Sequence, residues 1–194
     1  MKKFLGKNMN KSIVQGSLQQ IANQKNLSIS ESFFNADVLI LLDDSGSMGA
    51  MDAPGNISRR DAAQNELNRL QSKYPGSVAL ICFADEVKPS PSGLIIPCGG
   101  STNMSGALQY ALQFDDIGMK IILITDGEPN STGDTLEVAK QFKTQIDAVF
   151  IGREGGYGMD FLNRLMSVIG GTAFKSESPG MLLANVEEIL LLKG

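Results

Sequence analysis

Three side chains with oxygen donors, those of Asp43, Ser45 and Ser47, directly follow a run of five apolar residues. They are spaced two apart, so an extended or gently looping backbone directs all three to the same side. One carboxylate and two hydroxyls make half of the octahedral oxygen shell that Mg²⁺ or a similar hard cation prefers. Taken alone, the triplet is better interpreted as a serine-rich turn that holds no ion. Other residues have to complete the site.

Two further segments supply residues of the same chemical type. The apolar run 38–42 predicts a strand buried on both faces, because a half-exposed strand would alternate with polar residues. A second apolar run, 121–124, also ends in a carboxylate, that of Asp126, and Thr102 lies in the glycine-rich loop between them. Ligands of open parallel sheets bind at the carboxyl ends of strands, where the strand order reverses. We therefore expect Asp43, Asp126 and Thr102 to lie at one edge of the sheet.

The elements that position these residues alternate between strands and helices. Apolar runs and helical spacing predict strands over 38–42, 78–83, 121–124, 148–151 and 172–175, and helices over about 12–25, 58–74, 104–112, 134–145, 159–168 and 181–191. A weaker edge strand is expected around Val87 or over 94–96, because Pro89 and Pro91 exclude a central position. This alternation predicts an α/β fold: a doubly wound, mostly parallel central sheet with helices on both faces.

No repeat, linker or low-complexity tract divides the chain of 194 residues, so one domain is predicted over 36–194. Residues 1–35 are interpreted as an N-terminal tail, disordered over about 1–12, and a helix packed on the domain. A helix that binds a partner or a membrane surface is the alternative for 12–25.

Composition excludes several function classes. The chain has no histidine, which excludes nucleophiles activated by histidine and makes a zinc site with two cysteines improbable. The net charge is −4, and an acidic body repels nucleic-acid phosphates. No apolar run approaches the roughly 20 residues of a membrane helix, and the basic start continues into Lys7 and Asn8 rather than an apolar export signal. Cys82 and Cys98 are most simply reduced thiols of a cytoplasmic protein, although a disulfide between them stays open.

The three segments together resemble the von Willebrand factor type A (vWA) domain over about 36–192. They are Asp43-Asp44-Ser45-Gly46-Ser47-Met48, Gly99-Gly100-Ser101-Thr102-Asn103 and Thr125-Asp126-Gly127-Glu128-Pro129. In that family a metal-ion-dependent adhesion site (MIDAS) is built from an Asp-x-Ser-x-Ser loop, a Thr on a second loop and an Asp after a later strand. The resemblance implies a Rossmann-like vWA fold with one antiparallel edge strand.

The resemblance also implies roles for five residues at a Mg²⁺ ion, or Mn²⁺ or Ca²⁺. Ser45 and Ser47 would ligate the ion, Asp43 and Asp126 would coordinate it or hold its waters, and Thr102 would bind directly or through water. Two features depart from the family pattern. Asp44 occupies the variable second position and is expected to point away, and Ser101 separates the glycine pair from Thr102, which leaves the reach of Thr102 open.

The resemblance predicts a non-enzymatic, metal-dependent adaptor module that binds the Asp or Glu carboxylate of a protein partner. That partner is expected to be a protein, alone or within a larger assembly, and neither nucleic acid nor a membrane. Three methionines, Met48, Met51 and Met104, are expected at the rim of the contact surface, with an ordinary core position as the alternative for Met104.

Two other functions compete with this one. The first is a metal-dependent phosphohydrolase with Asp43 as nucleophile; against it, Ser45 stands where a second carboxylate would be needed, and no lysine is evidently placed to assist. The second is a scaffold whose metal site is vestigial.

Overall fold

The computed structural model describes residues 13–53, 55–151 and 157–176, together with positions 184, 186 and 187. In chain order, the helices are α1 (Leu18–Lys25), α2 (Ile29–Phe34), α3 (Arg59–Lys73), α4 (Met104–Ala111), α5 (Thr132–Ala139) and α6 (Tyr157–Ile169). The strands are β1 (Val38–Asp43), β2 (Val78–Phe83), β3 (Val87–Pro89), β4 (Lys120–Thr125), β5 (Ile146–Ile151) and β6 (Ala173–Ser176). Short 3₁₀ turns cover Gly46–Gly49 and Leu112–Ile117.

These strands form a six-stranded sheet in the order β3-β2-β1-β4-β5-β6. Every neighbouring pair is parallel except β2 and β3, which are antiparallel. The predicted fold class, a mostly parallel sheet with one antiparallel edge strand, is therefore confirmed. The edge strand lies at Val87–Pro89 and not at 94–96, and its Pro89 is tolerated because an edge position needs no donor on its outer side.

Alternate residues of the strands build two apolar layers, one on each face of the sheet. Leu39, Leu41 and their counterparts on β2, β4 and β5 pack against α4 and α6, with Ala139 of α5. Ile40, Leu42 and the opposite set pack against the Ala63, Leu67 and Leu70 stripe of α3. This two-sided burial explains why the strands are apolar at nearly every position.

The topology brings the ends of β1 and β4 together. The chain passes from β1 to β2 on one side of this pair and from β4 to β5 on the other, which is the strand-order reversal where open α/β sheets bind ligands. The register pairs Leu42 with Ile124, so that Asp43 lies beside Thr125 at the carboxyl edge.

The N-terminal region differs from the predicted single helix. Helix α1 begins only at Leu18, after a cap by the Ser17 hydroxyl, and ends at Lys25, where it is capped by Asn26, whose φ of 55° is left-handed. A second helix, α2, follows and was missed, although Ser28 and Glu31 form a capping box that the sequence displays. Leu18 is 2% exposed and belongs to the core layer under α4.

Helix α5 ends at Ala139, six residues earlier than predicted. The residues that follow are held by Asp115, whose carboxylate accepts hydrogen bonds from the N–H groups of Lys143 and Thr144, at 2.8 and 3.0 Å. The predicted tail over 1–12 and most of the predicted helix over 181–191 lie outside the described residues. In the described part of the chain, no helix is long and apolar enough to cross a bilayer.

Candidate metal site at the ends of β1 and β4

Asp43 is the last residue of β1, and its side chain joins the ends of the two central strands. One carboxylate oxygen accepts the N–H of Ser45 at 2.8 Å, and the other accepts the hydroxyl of Thr125, the last residue of β4, at 2.5 Å. Asp43 is 0% exposed. Burial raises its pKa to about 6 against the lowering effect of these hydrogen bonds. The carboxylate is therefore fixed in position, and its charged form is costly.

The two serines continue from Asp43 into the 3₁₀ turn and meet Asp126. The Oγ atoms of Ser45 and Ser47 lie 3.0 Å apart, and the Ser47 hydroxyl donates to Oδ1 of Asp126 at 2.7 Å. Ser47 is exposed, whereas the side chain of Asp126 is 0% exposed. Four of the five predicted residues, Asp43, Ser45, Ser47 and Asp126, are thus connected by hydrogen bonds, directly or through backbone.

Thr102 lies on the adjoining loop and is tied to the loop after β4. Its N–H donates to the side-chain oxygen of Asn130 at 2.9 Å, and its carbonyl accepts the N–H of Asn130 at 2.9 Å. Among the described residues, we find no hydrogen bond between Thr102 and the other four candidates. The structure places Thr102 beside the cluster and leaves its direct contact with an ion as a prediction.

Asp85 is a supporting residue that the sequence analysis did not include in the site. Its carboxylate accepts the N–H groups of Gly100 and Ser101 at 2.9 and 3.1 Å. The carbonyl of Gly100 in turn accepts the N–H of Gly46 at 3.1 Å, which connects the Thr102 loop to the serine loop. A hydrogen bond from the Ser101 hydroxyl, together with those from the two N–H groups, lowers the pKa of Asp85. Asp85 thereby accommodates the extra residue, Ser101.

Arg59, the first residue of α3, is the second residue that the sequence analysis missed. Its Nη1 donates to Oδ2 of Asp126 at 2.7 Å, and its Nε and Nη2 each donate to Asp52 at 2.8 Å. The hydrogen bond to Asp52, followed by that to Asp126, raises the pKa of Arg59. No local pattern signals this contact, because 67 residues separate Arg59 from Asp126.

Asp44, which the sequence analysis placed outside the site, makes an ion pair with Arg60. Burial raises its pKa, an effect that the hydrogen bond and charge of Arg60 oppose. Of the methionines expected at the rim, only Met51 fits, with 63% exposure. The expectation is wrong for Met48, whereas the core position given as the alternative for Met104 is confirmed. Both side chains are 0% exposed and belong to the two core layers.

The oxygen atoms of this cluster fit a small hard cation. Neighbouring ligands of an octahedral Mg²⁺ ion, with Mg–O bonds of about 2.1 Å, lie about 3 Å apart. The Ser45–Ser47 and Ser47–Asp126 oxygen pairs lie 3.0 and 2.7 Å apart as hydrogen-bonded partners, a separation that is also compatible with neighbouring ligands of such an ion. Within the described ranges, no group of three His, Cys, Asp or Glu side chains converges to hold a metal ion. The candidate donor set is therefore hydroxyl-rich, with two carboxylates.

Comparison with known proteins supports the fold. No protein-family model matches the sequence, and no curated protein matches it. The structure is similar to an aerotolerance-related membrane protein from Bacteroides fragilis, with a TM-score of 0.59 at 19% identity over 79% of this chain and 98% of that one. A von Willebrand factor type A protein from Catenulispora acidiphila gives 0.58 at 17% identity, over 79% of this chain and 42% of that one.

A third similar structure is the manganese-loaded TRAP protein of Plasmodium vivax, with a TM-score of 0.52 at 19% identity over 77% of this chain and 70% of that one. None of these three proteins is described as an enzyme. Identities this low establish the fold alone. The chain has the Rossmann-like fold of vWA-type proteins.

Proposed function

We propose that this protein is a metal-dependent binding module that holds a divalent cation at a MIDAS and uses it to bind an Asp or Glu carboxylate of a protein partner. The observation that carries the proposal is the contact of Ser45, Ser47 and Asp126 at octahedral spacing, at the strand-order reversal of a vWA fold. Mg²⁺ is the proposed ion, with Mn²⁺ or Ca²⁺ as substitutes. The manganese-loaded relative supports a metal on this fold.

Each residue has a role that follows from its position. Ser45 and Ser47 supply neutral hydroxyl ligands, and Asp126 supplies a carboxylate oxygen beside them. Asp43, with both oxygens already engaged by Ser45 and Thr125, orients the serine loop and contributes negative charge. Thr102 is proposed as a ligand on the neighbouring loop. An ion bound by few anionic ligands retains affinity for an external carboxylate.

The surface around the cluster fits a protein partner. Ser47 is exposed, and Met51, four residues later in the chain, exposes 63% of its surface, so we propose that a partner meets both a polar ion site and an adaptable apolar side chain. We propose a protein partner, alone or as a subunit of a larger assembly, in the cytoplasm, and neither nucleic acid nor membrane lipid. Fractionation of the source cell tests the location.

The phosphohydrolase alternative is disfavoured by the surroundings of Asp43. A nucleophilic carboxylate has to present a free oxygen to the substrate. Both oxygens of Asp43 accept hydrogen bonds, and the residue is 0% exposed. Magnesium-stimulated hydrolysis of a phosphate ester that is lost in Asp43→Asn would overturn the non-enzymatic proposal.

Metal binding is tested first, without a partner. Titration of the protein with Mn²⁺, followed by the decrease of the free-ion electron paramagnetic resonance signal, should give one saturable site that is lost in Ser47→Ala. Ser167→Ala is the matched control, because that residue is exposed on α6 and its hydroxyl donates to the carbonyl of Asn163 within the same helix. Equal Mn²⁺ binding by both variants, or none by the unaltered protein, would leave a scaffold with a vestigial site.

The partner is then identified by affinity capture from the source cell in Mg²⁺ and in chelator. A partner of the proposed kind is captured in Mg²⁺, lost in chelator, and lost with the Ser47→Ala protein in Mg²⁺. Capture that is indifferent to both changes contradicts a role for the ion.

A further inference from the structure

The guanidinium of Arg59 occupies a place next to the proposed ion. Asp126 has two carboxylate oxygens: Oδ1 accepts the Ser47 hydroxyl, within the oxygen cluster, and Oδ2 accepts Nη1 of Arg59 at 2.7 Å. Both oxygens of this buried carboxylate are therefore satisfied without an added ion. The positive charge that offsets the carboxylate of Asp126 comes from Arg59 of the same chain.

An ion bound beside Oδ1 would compete with this arrangement. A carboxylate shared between two cations is attracted less strongly to each of them, and two cations on either side of one carboxylate repel each other. The side chain of Asp126 is 0% exposed and that of Arg59 is 14% exposed, so solvent screens this repulsion poorly. Divalent-ion binding and the Arg59–Asp126 ion pair thus oppose each other.

Arg59 also binds a second anion, Asp52, which can hold its guanidinium after the contact with Asp126 is lost. Its Nε and Nη2 form a two-pronged contact with both oxygens of Asp52, each at 2.8 Å. The backbone is meanwhile fixed, because the N–H of Arg59 donates to the carbonyl of Ala50 at 3.1 Å. Loss of the single Nη1 contact to Asp126 therefore requires only a side-chain movement, and the guanidinium keeps a partner throughout.

We propose that Arg59 is a tethered competitor for Asp126: it weakens divalent-ion binding at the MIDAS and leaves Asp126, remaining on Asp52, when the ion binds. This inference rests on the proposed function and adds that a residue of the chain sets the affinity of the site for the divalent ion. Linkage makes the effect reciprocal, so that the ion weakens the Arg59–Asp126 contact by the same factor by which Arg59 weakens ion binding.

The first test measures Mn²⁺ affinity of Arg59→Gln by the same titration as for the unaltered protein. Coupling between two ligands is typically about 5- to 150-fold, so we expect Mn²⁺ to bind about tenfold more tightly to Arg59→Gln. Arg69→Gln is the matched control, because it removes the same charge from the same helix at a side chain that is 67% exposed and pairs with Glu66. Its affinity should be unchanged.

The second test needs no variant in the measured sample. Side-chain nitrogen signals of Arg59, assigned by through-bond correlation to its own backbone, should shift as Mg²⁺ is added to the unaltered protein, at the concentrations that saturate the site. Signals of Arg69 should stay in place. This measurement keeps the proposal testable if Arg59→Gln is poorly folded.

The outcomes separate this inference from the function on which it rests. Tighter binding by Arg59→Gln together with shifting Arg59 signals supports the competition. Equal or weaker binding by Arg59→Gln, or unmoved Arg59 signals at saturation, overturns the competition and leaves the metal site standing. Absence of Mn²⁺ binding by both proteins overturns the proposed function itself.

Discussion

Replacement of Asp43 by Asn should stabilise the ion-free protein at neutral pH while removing its response to Mg²⁺. The buried carboxylate has a pKa of about 6 in the fold, raised from 3.8 by burial. The Asn side chain has the same shape, and its oxygen retains the 2.8 Å contact with the Ser45 N–H. Its NH₂ group can donate to Thr125, whose hydroxyl can turn to the carbonyl of Gly127, 3.5 Å away.

The magnitude follows from the pKa. A folded-state pKa above the unfolded value means that the folded protein binds the proton more tightly, so stability falls as pH rises from about 4 through about 6. At about 1.4 kcal/mol per pH unit, the rise from 3.8 to about 6 corresponds to about 3 kcal/mol of stability missing above pH 7. Asn carries no charge and avoids this loss. For a chain of this length, about 3 kcal/mol corresponds to a Tm difference of about 6–12 °C.

The assay is urea unfolding of the unaltered protein and Asp43→Asn in EDTA at pH 4 and pH 8. The free energy of unfolding of the variant relative to the unaltered protein should increase by about 2–3 kcal/mol between the two pH values, because the unfolded carboxylate is already partly ionised at pH 4. Glu128→Gln, which removes one charge from an exposed loop residue near the site, should show no such increase. Addition of Mg²⁺ at pH 8 should then stabilise the unaltered protein and not Asp43→Asn.

One result would refute the reasoning. If the stability difference between Asp43→Asn and the unaltered protein is the same at pH 4 and pH 8 in EDTA, burial of Asp43 does not disfavour its charge. A Mg²⁺-dependent rise in the stability of Asp43→Asn equal to that of the unaltered protein would remove Asp43 from the metal site.

Three further predictions concern Asp43, the Thr102 loop and the residues that Asp115 holds after α5. Asp43→Ala should abolish ion-dependent partner capture while the far-ultraviolet circular dichroism spectrum stays native; unchanged capture that EDTA does not affect would contradict this. Gly99→Ala should destabilise the protein by about 1–3 kcal/mol in urea unfolding, because Gly99 has a φ of +112° and a Cβ there would lie 2.0 Å from Oδ2 of Asp85; unaltered stability would show that the Thr102 loop is not held by Asp85. Asp115→Asn should cost about 1–3 kcal/mol at pH 7, since the carboxylate accepts the N–H groups of Lys143 and Thr144. Although burial opposes it, a hydrogen bond from the Thr144 hydroxyl, together with those from the two N–H groups, lowers the pKa of Asp115. The cost should therefore shrink as pH falls through that pKa, and an equal cost at pH 7 and pH 3 would contradict this.

Local sequence patterns were sufficient for most of the fold. Continuous apolar runs at 38–42, 78–83 and 121–124 predicted strands of the central sheet, because only a strand covered on both faces needs apolar side chains at every position. The sequence analysis missed α2 although its capping box is a local pattern. It placed the end of α5 too late because a distant carboxylate, that of Asp115, holds the residues that follow the helix.

The candidate site also contains residues that the local sequence predicts and contacts that it does not predict. The sequence by itself determined which side chains supply oxygen to the edge of the sheet, since Asp43, Ser45 and Ser47 are neighbours in the chain and Asp126 follows an equally recognisable strand. Only the tertiary structure decided which charges surround them. Arg59 reaches Asp126 across 67 residues, and Asp85 holds a loop 15 residues away. Such contacts depend on how the helices and loops pack, and no spacing along the chain records them.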